Sequence, residues 1–209
     1  EAALLSRARG FSQARTPAIG RMSIGGGDPL GAEAQARVRS LALQLDTDDG
    51  QQWRLAMNSF PFFAVSTPQA FAEQVVASRP DPATGKPDPG KMQAFLGRHP
   101  EAARFMAWAG SAPWSSSFAN TAYNGVHAFA FTNAEGERHY VRWSFVPQAP
   151  FEPLAPAQRQ AAEAGYLTDE LAARLAKGPL RWTLELTLAE PGDPIEDPSQ
   201  PWPVARQRV

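Results

Sequence analysis

Apolar and polar residues alternate with a period of two in several separate stretches of the chain, the pattern of strands with one face buried. PAIGRMSI (Pro17 to Ile24) alternates and then runs into Gly25-Gly26-Gly27-Asp28-Pro29, a turn signal. SLALQLDT (Ser40 to Thr47) puts Leu41, Leu43 and Leu45 on one face, and QQWRLAMN repeats the period through Trp53, Leu55 and Met57. Asp48-Asp49-Gly50 lies between them, so the two stretches read as a hairpin. YNGVHAFAFTNAEGERHYVRWSF (Tyr123 to Phe145) reads as two more strands joined by a turn, and LRWTLELTL (Leu180 to Leu188) as another.

Helical signals are fewer. Leu4 to Phe11 is weakly helical. Thr67-Pro68 offers an N-cap and a first-turn proline for a helix through Ser78, Pro100 to about Ala109 reads as a second, and Thr168 caps a third that stops at Gly178. Arg79 to Gly90, Gly110 to Ser117 and the tail from Pro191 read as irregular, and no segment repeats. The pattern predicts an α+β protein: one strongly curved antiparallel sheet with helices on its flanks.

Composition narrows the function. The 209 residues hold 20 Lys plus Arg against 21 Asp plus Glu, with no basic stripe, which argues against nucleic acid. No apolar run approaches the roughly 20 residues that cross a bilayer, and EAALLSRARG has no signal-type apolar core, so a soluble chain with no readable address is expected. The absence of cysteine excludes disulfides and thiolate chemistry. Twenty Pro, 12 Phe and 6 Trp point to many turns around an aromatic interior.

Candidate chemistry is scattered. His127 has the strand parity of Phe129 and Phe131, which predicts a ring on a buried aromatic face that needs a hydrogen-bond partner, in either a structural or a functional role. His99 and His139 are distant from it in sequence and have no ligand spacing, so no metal site is expected. The serines of SAPWSSSF lack a nucleophile elbow, and the glycine run lacks the spacing of a phosphate cradle. Asn58, beside Phe60, Phe62 and Phe63, is either an amide that orients a polar ligand in an apolar pocket or a strand-end turn residue. Arg21 alone reads as a cation on a solvated face or as one half of a surface ion pair.

Their order along the chain adds information. SRARGF, PAIGRMSIGGGDP, MNSFPFFAVSTPQAF, YNGVHAFAFTNAEGERHYV and GDPIEDPSQPWPVARQRV together resemble successive segments of the haem catalase superfamily, most closely its short branch of catalase-related peroxidases. The resemblance implies a catalase-like antiparallel β-barrel core, haem b, and a peroxidase or catalase-like oxidoreductase acting on hydrogen peroxide, with small organic molecules as further reductants. It assigns Asn58 to the distal asparagine that holds peroxide, Phe63 and Phe71 to the walls of the distal pocket, and Arg21 to a haem propionate. Ser23 matches the serine that orients the distal histidine, and His127 matches the histidine of the H-[ST]-F strand on the proximal side, although Ala128 replaces the middle residue.

The family's distal histidine precedes the segment that SRARGF resembles, and its proximal tyrosine follows the region that DPSQPWPVARQRV resembles. The expectation is one catalase-like domain, 1–209, truncated at both ends, with little activity as an isolated piece and with strand edges that favour a homo-oligomer. The alternatives are a catalytically silent module that binds haem or another hydrophobic ligand, and a structural fragment that binds nothing.

Overall fold

The computed structural model describes residues 1–26 and 30–209. Six strands form one sheet: β1 (Ala18–Ile24), β2 (Arg39–Asp46), β3 (Gln52–Asn58), β4 (Tyr123–Thr132), β5 (Arg138–Pro147) and β6 (Trp182–Leu188). They lie side by side in chain order, each antiparallel to the next, and the sheet curls into half of a barrel. The α+β class and all the strands read from the alternation stand. The glycine turn expected at 25–29 lies in part outside the described residues.

Both predicted hairpins close where the turn residues stand. Gly50, at φ 83°, and Gly136, at φ 86°, take the left-handed backbone that side chains with a Cβ avoid. In the first hairpin Asp46 pairs with Gln52, Leu43 with Leu55 and Ser40 with Asn58. The two hairpins meet at a single pair, Asn58 with Asn124.

The β4–β5 ladder is interrupted between Gly125 and Phe129. At this break the Trp143 ring lies against Gly125, where a Cβ would collide with the indole, and stacks on Phe129 at 3.8 Å. Inside the irregularity, where β4 carries two residues more than β5, the parity on which the reading of His127 rested does not hold. His127 is exposed and has no hydrogen-bond partner among the described residues, whereas Phe131, four residues on, is buried. The expected desolvation cost, and with it the need for a partner, does not arise.

Among the described residues there are seven α-helices: α1 (Ala2–Leu5), α2 (Arg9–Ser12), α3 (Pro68–Ala77), α4 (Pro89–Arg98), α5 (Ala102–Ser111), α6 (Pro156–Ala161) and α7 (Tyr166–Leu175). The weak helix expected over Leu4 to Phe11 is two separate turns. In α3 the Thr67 hydroxyl accepts from the Ala70 N–H, as its cap position predicts. The segment taken as a loop to Gly90 ends instead at Asp88, whose carboxylate caps α4 by accepting from the Gly90 N–H.

Thr168 does not cap α7. It lies inside the first turn, and its N–H and hydroxyl donate to Glu33 at 2.8 and 2.6 Å. A carboxylate from a distant segment therefore takes up an amide that the helix leaves free, at the end where negative charge is favoured.

Apolar burial divides into a helical cluster, built on Val65, Ala70, Ala77, Phe95 and Ala102, and clusters on the sheet. The tail is tied back at several points. Arg142 donates to the carbonyl oxygens of Pro194, Asp197 and Gln200, and its guanidinium lies 4.5 Å from the Trp202 ring centre. The amides of Leu186 and Val209 donate to each other's carbonyls, at 2.7 and 3.0 Å. The aperiodic tail thus covers part of the β6 edge of the sheet.

Candidate active site on the small-residue face

Alternation gives the sheet two unlike faces. Met22, Leu41, Leu43, Leu55 and Met57 pack on one face with Tyr123 and Phe145. The opposite face of β1–β3 carries Arg21, Ser23, Ser40, Ala42, Ala56 and Asn58. Cross-strand pairing sets these in two adjacent lines. Ser23, Ser40, Asn58, Asn124 and Ser144 lie opposite one another in turn from β1 to β5. Two residues along the strands, Arg21, Ala42 and Ala56 form the second line.

The first line is joined by side-chain hydrogen bonds. The Ser40 hydroxyl donates to Asn58 Oδ1 at 2.6 Å, Asn124 Nδ2 donates to the Asn58 carbonyl oxygen at 3.4 Å, and the Ser144 hydroxyl donates to Asn124 Oδ1 at 2.8 Å. Asn58 Nδ2 has no hydrogen-bond acceptor among the described residues and is not buried. In the second line Arg21 is exposed and makes no ion pair or hydrogen bond among the described residues. Ala42 and Ala56 project only methyl groups between this guanidinium and the end of β3. The result is a face of small side chains with, among the described residues, an unpaired cation at one side and an unpaired amide donor nearby.

The aromatic residues assigned to the site lie just after β3. Phe63 packs on Phe71 at 5.1 Å between ring centres and on Phe60 at 5.8 Å, and Phe60 continues to Phe105 at 5.4 Å. Phe71 begins this series with 44% of its surface exposed. The Phe63 N–H donates to the Pro198 carbonyl at 2.8 Å, so the loop that carries it is held by the tail that Arg142 anchors.

The structure therefore brings Arg21, Ser23 and Asn58 onto one face, with Phe63 and Phe71 on the segment that leaves it. His127 stands apart on the irregular part of β4. No group of three potential metal ligands is present among the described residues. Tyr123 is fully buried and donates to the Phe118 carbonyl at 2.9 Å, and burial pushes its pKa upward, so it is a neutral phenol packed in the core. The cavity of about 560 Å³ beside α5, lined by Arg37, Arg39, Trp108 and Trp114 among others, includes none of the assigned residues.

Sequence reading missed Ser40, Ala42, Ala56, Asn124 and Ser144. A signal for three of them was present. A hairpin centred on Asp49 places Ser40 opposite Asn58 and Ala42 opposite Ala56 by counting alone. The single bridge between the hairpins had no such signal, and Asn124 and Ser144 depend on it.

Comparison with known proteins identifies the family and the fold. The sequence model of the Catalase family matches residues 2–196. Over 209 residues the chain is 39% identical to a catalase-related peroxidase of Synechococcus elongatus, covering all of this chain and 62% of that protein. It is 33% identical over 205 residues to a catalase-related peroxidase of Mycolicibacterium paratuberculosis, covering 97% and 64%. The chain thus spans less than two thirds of the length of these relatives. A fungal catalase superposes with a TM-score of 0.87 at 21% identity, covering 99% of this chain and 44% of that one, and catalase A from Saccharomyces cerevisiae with 0.85 at 20%, covering 99% and 46%. At such identities these two structures establish the shared fold alone. With the family match across nearly its whole length and that fold, the chain belongs to the catalase family.

Proposed function

We propose that the protein is a haem-dependent oxidoreductase that consumes hydrogen peroxide, and that the face bearing Arg21, Ala42, Ala56 and Asn58 is where this chain meets haem and peroxide. The observation that carries the reading is the pairing of an unsatisfied guanidinium with an unsatisfied amide donor across a floor of methyl groups. A flat, mostly apolar group with a carboxylate at its rim fits that floor. Side chains larger than alanine at 42 and 56 would fill it.

The residues divide the work by their chemistry. Arg21 anchors a carboxylate by a charge-assisted hydrogen bond, which fixes the rotation of the bound group in its plane. Ala42 and Ala56 supply close apolar contact. Asn58 Nδ2 donates to a peroxide oxygen and stabilises negative charge that develops there. An amide does not titrate near neutral pH, so Asn58 holds and orients peroxide and does not move its proton. Phe63 and Phe71 exclude water from the approach to Asn58, which strengthens its hydrogen bond. Bound haem would supply the redox chemistry that cleaves the peroxide O–O bond. Haem b, hydrogen peroxide, small organic reductants, a homo-oligomer, and the roles of Ser23 beside this floor and His127 on the proximal side all belong to the same proposal.

The test is peroxide consumption by the haem-loaded complete protein, followed by absorbance and by an oxygen electrode. The expected result is turnover well above that of an equal concentration of free haemin, and oxygen release divides dismutation of peroxide from oxidation of a second substrate. A rate no higher than that of free haemin contradicts the reading.

A further inference from the structure

We infer that Ser40 is a positioning residue that sets which end of the Asn58 amide faces the ligand; this rests on the proposed role of Asn58. An asparagine head has an acceptor end and a donor end of nearly the same shape, and rotation by half a turn exchanges them. Only the donor end stabilises negative charge on a peroxide oxygen, whereas the acceptor end repels it. The usefulness of Asn58 therefore depends on which end is occupied by the protein.

The geometry occupies the acceptor end. Ser40 lies directly opposite Asn58 in the β2–β3 register, and its hydroxyl donates to Asn58 Oδ1 at 2.6 Å. Nδ2 is left without an acceptor among the described residues. Asn124 binds the Asn58 backbone carbonyl and not the side chain, so among the described residues Ser40 is the side chain that holds the amide head. The same device recurs one strand on. The Ser144 hydroxyl takes Asn124 Oδ1 and leaves Asn124 Nδ2 to donate to the Asn58 carbonyl, at the one pair that joins β3 to β4. The two serines thus act on Asn58 from both sides, one on its side chain and one on its backbone.

The position also excludes a purely space-filling account of Ser40. Its neighbours along this line are polar, Ser23 on one side and Asn58 on the other, and the face is only partly buried. A hydroxyl is not needed there to complete an apolar core, and solvent could satisfy Asn58 Oδ1 in its absence. What solvent does not supply is a fixed partner: the Ser40 hydroxyl is tethered opposite Asn58 and donates to Oδ1, whereas a water molecule there is free to move and turn.

The experiment uses the haem-loaded complete protein and compares Ser40→Ala, Ser40→Thr, Asn58→Ala and the double variant Ser40→Ala/Asn58→Ala. The rate constant for reaction with hydrogen peroxide is read by stopped flow, with haem content and thermal unfolding alongside. We expect Ser40→Ala to slow the reaction about tenfold, which is about 1.4 kcal/mol of activation free energy, at unchanged haem content and unfolding midpoint. Ser40→Thr, which keeps the hydroxyl, restores most of the rate. The double variant is no slower than Asn58→Ala alone, because Ser40 acts only through that amide.

If Ser40→Ala leaves the rate unchanged while Asn58→Ala lowers it, the positioning role is overturned and the role of Asn58 stands. If the two losses are additive, Ser40 acts by another route and the inference is equally overturned. If Asn58→Ala itself has no effect on the rate, the assignment of Asn58 fails and the role of Ser40 falls with it.

Discussion

Asn58→Ala is expected to slow the reaction of the haem-loaded protein with hydrogen peroxide by about 10²- to 10³-fold, the usual cost of removing one preorganised donor to developing negative charge. Haem content is expected to stay near that of the parent protein. The two halves of this expectation have separate physical grounds. Asn58 Nδ2 has no acceptor among the described residues at the end of β3, so its removal takes away the proposed contact to the ligand. The groups proposed to hold haem are others, Arg21 and the methyl floor of Ala42 and Ala56. Stability is also expected to change little, because the Asn58 side chain gives up one hydrogen bond, to Ser40, on a partly buried face. Stopped-flow absorbance gives the rate and the haem-to-protein ratio gives the occupancy. Loss of haem in the variant would make Asn58 a structural residue.

Phe95→Ala is expected to destabilise the protein by about 3–5 kcal/mol, the range found when a large aromatic side chain is removed from a packed interior. Phe95 is 0% exposed and forms one cluster with Val65, Ala70, Ala77 and Ala102, on which Phe63, Met92 and Leu96 pack. This cluster is separate from those on the sheet, so the loss falls on the α3–α5 layer. That layer holds Phe63 and, at the start of α3, Phe71. The denaturant midpoint measures the destabilisation, and faster haem release from the folded variant would show that the helical layer supports the site from outside the sheet. A loss below about 1 kcal/mol would mean that the helices collapse around the space.

Most of this architecture was legible because it obeys local rules. Period-two alternation placed β1, β2, β3 and β6 within about two residues, and the Asp48-Asp49-Gly50 turn determined the register that sets Ser40 against Asn58. Helix α4 was readable in principle, since Asp88-Pro89 has the same cap-and-proline signature as Thr67-Pro68. It was hidden by the density of proline and glycine just before it. Other features have no local signal. The cap of α7 comes from Glu33, more than 130 residues away in sequence. The closing of the β6 edge depends on Val209, in a segment without periodicity.

His127 shows how a sound rule fails. Alternation assigns a face only while the ladder is regular, and between Gly125 and Phe129 β4 carries two residues more than β5, so His127 inside the interruption turns outward while Tyr123 and Phe131 on either side keep the buried face. Nothing in the local pattern marks that break, because Gly125 at its edge also fits an ordinary strand. The need for glycine at 125 becomes visible only when Trp143 is seen lying where a Cβ would be. For the site itself, the resemblance to the family singled out Arg21, Ser23 and Asn58, and the register places them on one face. Ala42 and Ala56 carry no chemistry that would draw attention, yet their small size is what leaves room beside Arg21.

Filling that room tests directly whether haem lies on this face. Ala56 is exposed and belongs to no buried cluster, so Ala56→Phe should leave folding intact. Titration of the haem-free Ala56→Phe protein with haemin, followed by the haem absorption band, is predicted to show affinity at least about tenfold weaker than that of the parent protein, a difference of about 1.4 kcal/mol. An unchanged titration curve would contradict the placement of haem on this face.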